Sequence, residues 1–369
     1  MQRLTMIGVT MCLLATGVVR AQTGPQAPMM SDAVFKNIQV LKGIPVDEFM
    51  DTMGMFSASL GYDCVSCHSD GIYTDRAAFA ITTPQIQRAR QMIVMMNTIN
   101  RNFFGAQPRV SCFTCHRAQY RPEVVPSLAL QYGEVIDDPS AMRIFPDPRG
   151  SVDQVFAAYL QALGGEARLS AMTSLIARGT YEGFNTGGNA FPIEIYARAP
   201  NRRVQVVRTP EGDAVKSFDG MTAWAAEGWR PLPLLALTGG NLVAAKLEAI
   251  VTFPSSIRAA FTQWQVGGTL MDGQPVKILQ GSNEGQLPVN FYFDAASLLA
   301  RTLMWNRTAV GTVPVQMDFS DYREVAGVRV PFRIVATWTD GQNTYVFNDV
   351  QPNAAIPDSR FATPAPFKN

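Results

Sequence analysis

Four cysteines and two histidines share one spacing, in Cys64-Val65-Ser66-Cys67-His68 and again in Cys112-Phe113-Thr114-Cys115-His116. Two thiols three residues apart, followed at once by an imidazole, form the attachment pattern of a c-type haem. The thiols add across the two vinyl groups of one porphyrin, and the adjacent His reaches the iron from one face. One such pentapeptide could be chance; two, in a chain with five Cys and two His, are a specific signal. The sequence predicts two covalently bound haem c groups, with thioethers at Cys64, Cys67, Cys112 and Cys115 and iron ligands at His68 and His116.

The inventory constrains the remaining chemistry. The fifth cysteine, Cys12, lies in an N-terminal apolar segment, and no His exists outside the two motifs. A His-based nucleophilic triad is excluded, as is bis-His ligation of either iron within the chain. A zinc site would need the Cys pairs closer together, and the His after each pair would be unexplained. A peroxidase-like haem enzyme would need an open iron position and a general base, and no free His can be that base. Methionine is the available strong sixth ligand, and Met/His ligation raises the reduction potential relative to bis-His. Met50, Met53 and Met55 precede the first motif, and Met92, Met95 and Met96 the second. Met53 lies on an apolar helix face and Met55 off it. Met92 and Met96 share a face one turn apart, and periodicity does not choose between them.

Each motif follows a helix. Over residues 45–60, Pro45 suits an early helical position and Asp47-Glu48 the first turn. Val46, Phe49, Met50, Met53, Phe56 and Leu60 recur at spacings of three and four, which is one face, and Gly61 ends the helix. Thr83-Pro84 opens a second helix to about Phe103, with Ile86, Ala89, Ile93, Met96, Ile99 (or Asn100) and Phe103 as its apolar face, Met92 and Met95 beside it, and Gly105 as its stop. The unit of helix, turn and C-x-x-C-H therefore occurs twice, as in an internal duplication.

Beyond these units the chain changes character. Residues 121–150 carry Pro122, Pro126, Pro139, Pro146 and Pro148 and read as a linker. Ser151 to Leu163 reads as an amphipathic helix closed by Gly164-Gly165. After it come eleven runs of strand type, from Leu175–Phe184 to Thr344–Val350, separated by Gly and Asp turns at hairpin spacing, with a helical pattern between about 233 and 261. The fold class expected is α+β: a small helical dihaem domain, then a mostly antiparallel curved sheet or half-barrel with a few helices. Apolar residues make up 47% and charged residues 17%, which fits a globular chain, and the formal net charge of +1 argues against a nucleic-acid partner.

The N-terminus reads as an export signal. Arg3 precedes an apolar run from Met6 to Val19, and Val19-Arg20-Ala21 resembles a small-residue cleavage site. That run is ~14 residues, short of the ~20 that span a membrane. The expected organisation is a signal peptide at 1–21, a dihaem domain at 22–120, the linker at 121–150 and a β-domain at 151–369. The expected location is periplasmic, with association to the periplasmic face of a membrane as a further reading.

Val34-Phe35-Lys36-Asn37-Ile38-Gln39-Val40-Leu41, Glu48-Phe49, Thr52-Met53 and the first motif resemble the start of the photosynthetic reaction-centre cytochrome c subunit family. So do Ala89-Arg90-Gln91-Met92, Ile99-Asn100 and Val110-Ser111 with the second motif and Arg117. The resemblance covers about residues 33–125. In that family each Met ligand comes from the helix before its motif, which implies Met53 for the first iron and Met92 for the second. Typical members carry four haems, whereas this chain stops at two. It also lacks a His ligand that members carry between the second helix and its motif. The β-domain resembles the lipoprotein-carrier type of fold, through Phe291-Tyr292-Phe293-Asp294 and the hairpin from Asp321 to Pro331.

These readings converge on an exported dihaem electron carrier rather than an enzyme. Its partners would be redox proteins, with a membrane-bound electron-transfer complex or reaction centre among them. The alternatives are a haem enzyme, or a haem-tethered carrier or sensor of a lipid-like ligand. For the last, Phe191, Tyr196, Trp224, Trp229, Phe291, Tyr292 and Trp338 would line a cavity or, more commonly, pack a sheet core.

Overall fold

Residues 27–133 and 141–368 are described by a computed structural model, and the expected export segment, including Cys12, lies outside them. A short helix α1 (Ser31–Val34) leads into α2 (Val46–Leu60), which carries Asp47 and Glu48 in its first turn and ends on Gly61 at φ 66°. Three 3-10 turns follow, at Cys64–Ser66, Asp70–Tyr73 and Arg76–Ala80. Helix α3 (Pro84–Phe103) starts with Pro84 in its first turn and Thr83 as N-cap, whose side chain accepts from Ile86 N at 3.2 Å. Both long helices match their expected extents. Helix α4 (Cys112–His116) is the second motif itself, and α5 (Leu128–Tyr132) is a short helix within the expected linker.

The rest is one sheet of thirteen antiparallel strands. After α6 (Val152–Ala162) and α7 (Glu166–Ala171) come β1 (Ser174–Gly183), β2 (Phe191–Arg198), β3 (Arg202–Thr209), β4 (Gly212–Phe218), β5 (Ala223–Ala226) and β6 (Leu235–Leu237). Helix α8 (Gly239–Thr252) separates these from β7 (Gln263–Met271), β8 (Gln274–Ser282), β9 (Val289–Phe293), β10 (Leu299–Thr308), β11 (Gly311–Val325), β12 (Val328–Trp338) and β13 (Gly341–Pro352). Each half is a meander. Strand β1 pairs with β13 and joins the halves, while β6 and β7 stand at opposite edges, so the curved sheet stays open. This is the expected α+β class. Strands β5 and β6 add to the eleven expected; both are short apolar runs with no alternation to mark them.

Alternation sorts the strands onto two faces. Phe291 and Phe293 join α6, α7 and α8 in the largest core, through Phe156, Tyr159, Leu169, Leu247 and Ile250. Tyr292, between them, points the other way and packs with Ile278, Leu303 and Trp305. That outer face is covered by Met142 and Ile144 from the expected linker. The linker is tied down there: Gln280 Nε2 donates to Met142 O at 2.8 Å and Asp147 N to Val266 O at 2.9 Å. Among the described residues, no helix is long and apolar enough to cross a membrane.

Candidate functional site

Both motifs fold as capped helical turns. Asp63 accepts from Ser66 N at 2.9 Å and so caps the turn that begins at Cys64. Ser111 and Thr114 form a reciprocal capping box over the turn that begins at Cys112. Residues three apart lie on one side of a helical turn, so each Cys pair shares a side. The four thiols are free, with Cys64 and Cys115 exposed and Cys67 and Cys112 half-buried. Burial pushes the Cys112 thiol up to about 11. Among the described residues, no group of three or more His, Cys, Asp or Glu gathers as a metal site, so the four thiols do not converge.

The structure brings the two motifs together at their flanks. Tyr62, before the first, stacks on Tyr120, after the second, with ring centroids 5.1 Å apart. Gly61 backs onto the same segment so closely that a Cβ there would stand 2.6 Å from Ala118 O. Thr83, the cap of α3, donates to Cys67 O at 2.7 Å, tying the second helix to the first motif. Asn100, buried in α3, grips the approach to the second motif: Nδ2 donates to Val110 O at 2.8 Å, and Oδ1 accepts from Arg109 N at 3.1 Å and Val110 N at 2.9 Å.

The two imidazoles are held differently. His116 Nδ1 lies 3.0 Å from Gln119 O, an arrangement that makes Nδ1 the protonated nitrogen and leaves Nε2 with its lone pair. Nδ1 of His68 is buried without a hydrogen bond of normal geometry. Its ring stands edge-on to Phe79 at 5.0 Å. Burial lowers the His68 pKa, the Phe79 backbone opposes that shift, and the neutral, ligating form is favoured.

The methionines separate by packing. Met55 and Met96 are 4% and 6% exposed and share an apolar cluster with Ile93, Val310 and Val313. Met92 is 37% exposed and Met95 46% exposed, and Met53 is half-buried. The side of α2 that the sheet covers is not its apolar face. Asp47, Gly54 and Met55 are buried there, while Phe49, Met50, Met53 and Leu60 keep some exposure. Most of the large apolar side chains exposed in the described chain lie in this helical region, among them Tyr73, Phe79 and Ile81 after the first motif and Phe103 and Phe104 before the second. The site residues fit a covalently attached haem: paired thiols on one turn, an imidazole ready to ligate, and apolar surface beside both. Arg117 and Arg121 are exposed.

Polar contacts fix α2 on the sheet. Asp47 accepts from Thr238 N at 2.5 Å and Thr238 Oγ1 at 2.8 Å, at the start of α8. Asp51 accepts from Asn241 Nδ2 at 2.8 Å, and burial pushes its carboxyl up to about 6. Arg76, in the 3-10 turn after the first motif, donates to Gly228 O and Arg230 O at 2.7 and 2.9 Å. Asp47 and Asn100 carried no chemical signature in the sequence; Asp47 read as an ordinary first-turn acid.

Inside the β-domain, a cavity of about 80 Å³ lies between α6–α8 and the sheet, lined by residues such as Tyr159, Leu169, Arg203 and Phe319. None of the seven aromatics singled out in the sequence lines it. Phe291 and Tyr292 are fully buried, one on each face of the sheet.

Two capped thiol–imidazole turns on a helical region, followed by an open antiparallel sheet, define a two-part chain whose first part has the attachment architecture of c-type cytochromes. Residues 15–132 match the family model for the photosynthetic reaction centre cytochrome C subunit. The photosynthetic reaction center cytochrome c subunit of Roseobacter denitrificans is 30% identical over 99 residues, which is 25% of this chain and 26% of that protein. The chain thus spans about a quarter of that relative's length. Residues 236–349 match a family of unknown function, DUF6544. Among solved structures, a LolA superfamily protein of Nitrosomonas europaea aligns with TM-score 0.39 and 9% identity, over 58% of this chain and 98% of that one. A DUF1329 family protein of Desulfovibrio piger aligns with TM-score 0.40 and 10% identity, over 57% and 97%.

Proposed function

We propose that the chain is an exported, periplasmic c-type cytochrome that holds two covalent haem c groups and carries electrons, as the reaction-centre subunit's name implies for that protein. The reading rests above all on the two capped C-x-x-C-H turns and their stacked flanks. Cys64 and Cys67 would anchor one group and Cys112 and Cys115 the other, with His68 and His116 as iron ligands. Bound haem supplies a one-electron Fe(III)/Fe(II) couple. The protein's part is to bind, orient and exclude water. His116 is oriented through Gln119 O. Ile99 and Phe103 offer apolar surface about two and three turns along α3 from Met92.

Met53 and Met92 are the sixth ligands in this reading. Support comes from Met55 and Met96, which the core against the sheet already uses, and from Met53 and Met92, which lie outside that core. With a His and a Met holding each iron, the chain would be a carrier rather than a catalyst of substrate turnover. Residues 22–120 form the dihaem unit, 121–150 the connection and 151–369 the β-domain. Partners are redox proteins that dock near the exposed apolar rim of the helical region, a membrane-bound complex or reaction centre among them.

The test is haem staining of a denaturing gel, then a spectroscopic redox titration of wild type beside Met53→Ala and Met92→Ala. The expected result is a covalently stained band and loss of one Met–iron charge-transfer band in each variant. An unstained band sinks the cytochrome reading, and full retention of both charge-transfer bands refutes the two methionines. Rapid carbon monoxide binding by the reduced wild type would favour a peroxidase-like enzyme instead. The cavity of about 80 Å³ supports a second reading, an apolar-ligand carrier or sensor, and mass spectrometry of extracted ligand tests it.

A further inference from the structure

The sheet reaches the motifs through two of its tight turns, at the same end of the meander. Strands β10 and β11 close through Ala309-Val310, since Thr308 pairs with Gly311. Val310 is 1% exposed and joins Val313, Met55, Ile93 and Met96 in the cluster against which Cys112 packs. A Cβ on Gly311 would stand 2.5 Å from Met55 Cε and 3.0 Å from Cβ of Ser111, the residue before Cys112. Strands β12 and β13 close through Thr339-Asp340, since Trp338 pairs with Gly341. A Cβ on Gly54, next to Met53, would stand 3.1 Å from Asp340 Oδ1 and 3.1 Å from Thr339 Oγ1. Asp340 has solvent access at the turn tip, but its carboxyl is hemmed in enough that burial raises its own pKa against the hydrogen bonds that lower it; its charge, after burial, raises the pKa of the Cys64 thiol, and Asp63 acts in the same direction.

One motif therefore meets an apolar turn and the other a carboxylate. A carboxylate stabilises the more positive, oxidised iron; an uncharged apolar wall disfavours it. We propose that these two turns, packed against the motifs behind the haem-facing side of α2, rank the two haem sites: Asp340 holds the Cys64 site at the lower reduction potential, and Val310 holds the Cys112 site at the higher. The β-domain is then a positioning and tuning part of the electron path. The proposal rests on the dihaem reading above.

The experiment is a redox titration of the full haem-loaded chain, resolved into two waves. Asp340→Asn moves only the lower wave upward, by several-fold in its reduction equilibrium, where tenfold corresponds to about 59 mV. Asp340→Glu keeps the charge and the wild-type position. Val310→Thr, nearly isosteric, moves only the upper wave downward. Asp340 sits at a turn tip, where Asn keeps its shape and Glu its charge, and these two variants decide the matter even where Val310→Thr does not fold. Two covalent haems with both waves unmoved by Asp340→Asn, or with the upper wave moved instead, overturn the proposal and leave the dihaem reading standing. A chain without covalent haem overturns the dihaem reading itself.

Discussion

Replacing Asp47 tests whether the helical region and the sheet are one folding unit. Asp47 is 2% exposed, and its two oxygens accept from the backbone and hydroxyl of Thr238, the residue at the N-cap position of α8. Hydrogen bonds to a charged group contribute about 1.5–3 kcal/mol each, and the carboxylate also faces the positive end of the α8 dipole, worth about 0.3–1 kcal/mol. Thr238 is only half-buried, so water replaces part of what is lost. Asp47→Ala is therefore expected to cost about 3 kcal/mol, and Asp47→Asn, which keeps one acceptor, about half as much. The assay is denaturant unfolding followed by two probes. All five Trp lie between Trp224 and Trp338, so fluorescence reports the sheet, while haem absorbance reports the helical region. Wild type is expected to give coincident transitions, and Asp47→Ala to move the haem-region transition to lower denaturant. If Asp47→Ala stays within about 0.5 kcal/mol of wild type by both probes, the interface is not held in the way described.

Two further outcomes follow from buried polar groups. Asn100→Leu leaves the Val110 carbonyl and the Arg109 and Val110 amides without their clamp, and is expected to cost about 2–3 kcal/mol. It should also lower haem incorporation at Cys112 and Cys115 more than at Cys64 and Cys67, read by mass spectrometry of the intact chain. Glu248 pairs with Arg203 at 2.8 Å and Lys216 at 2.6 Å. Burial pushes its carboxyl up, but the two cations outweigh burial and hold it below the usual range. Its folded pKa is thus depressed, so its contribution is present above the unfolded value of about 4.3 and is lost as pH falls through the folded one. Glu248→Gln should lose about 3 kcal/mol at pH 7, with the gap to wild type closing below about pH 4 in unfolding titrations.

Residue spacing carried much of this architecture. The apolar stripes of α2 and α3, with Gly61 and Thr83-Pro84 at their ends, mark helices whose observed bounds agree closely. Alternation such as Ile193-Glu194-Ile195 marks a half-buried strand, whereas the unbroken apolar run Phe291-Tyr292-Phe293 lies in a strand buried on both faces. Strands β5 and β6 stayed hidden because Ala223–Ala226 and Leu235–Leu237 are too short to show a period, and β6 runs straight into the helical pattern of α8. The larger omission concerns partners. Periodicity tells which side of α2 is apolar, and the natural inference is that this side meets the protein core. The sheet instead takes the side with Asp47, Asp51, Gly54 and Met55, through contacts to residues some hundreds of positions along the chain that no local pattern can announce.

That inversion explains why the helical region needs the sheet. If the apolar side of α2 is given to a haem, the opposite side must find its partners elsewhere, and a carboxylate such as Asp47 can be buried only where donors wait for it. The start of α8 supplies them. Gly54 eases that approach, because a Cβ there would stand 3.1 Å from both Asp340 Oδ1 and Thr339 Oγ1, and those side chains would have to give by a few tenths of an ångström. Met55 completes the contact by filling the space over Gly311, which a larger residue at 311 would close. Met53 sits between buried Thr52 and Gly54, so on the proposed ligation one helix would be ligand support on one face and docking surface on the other.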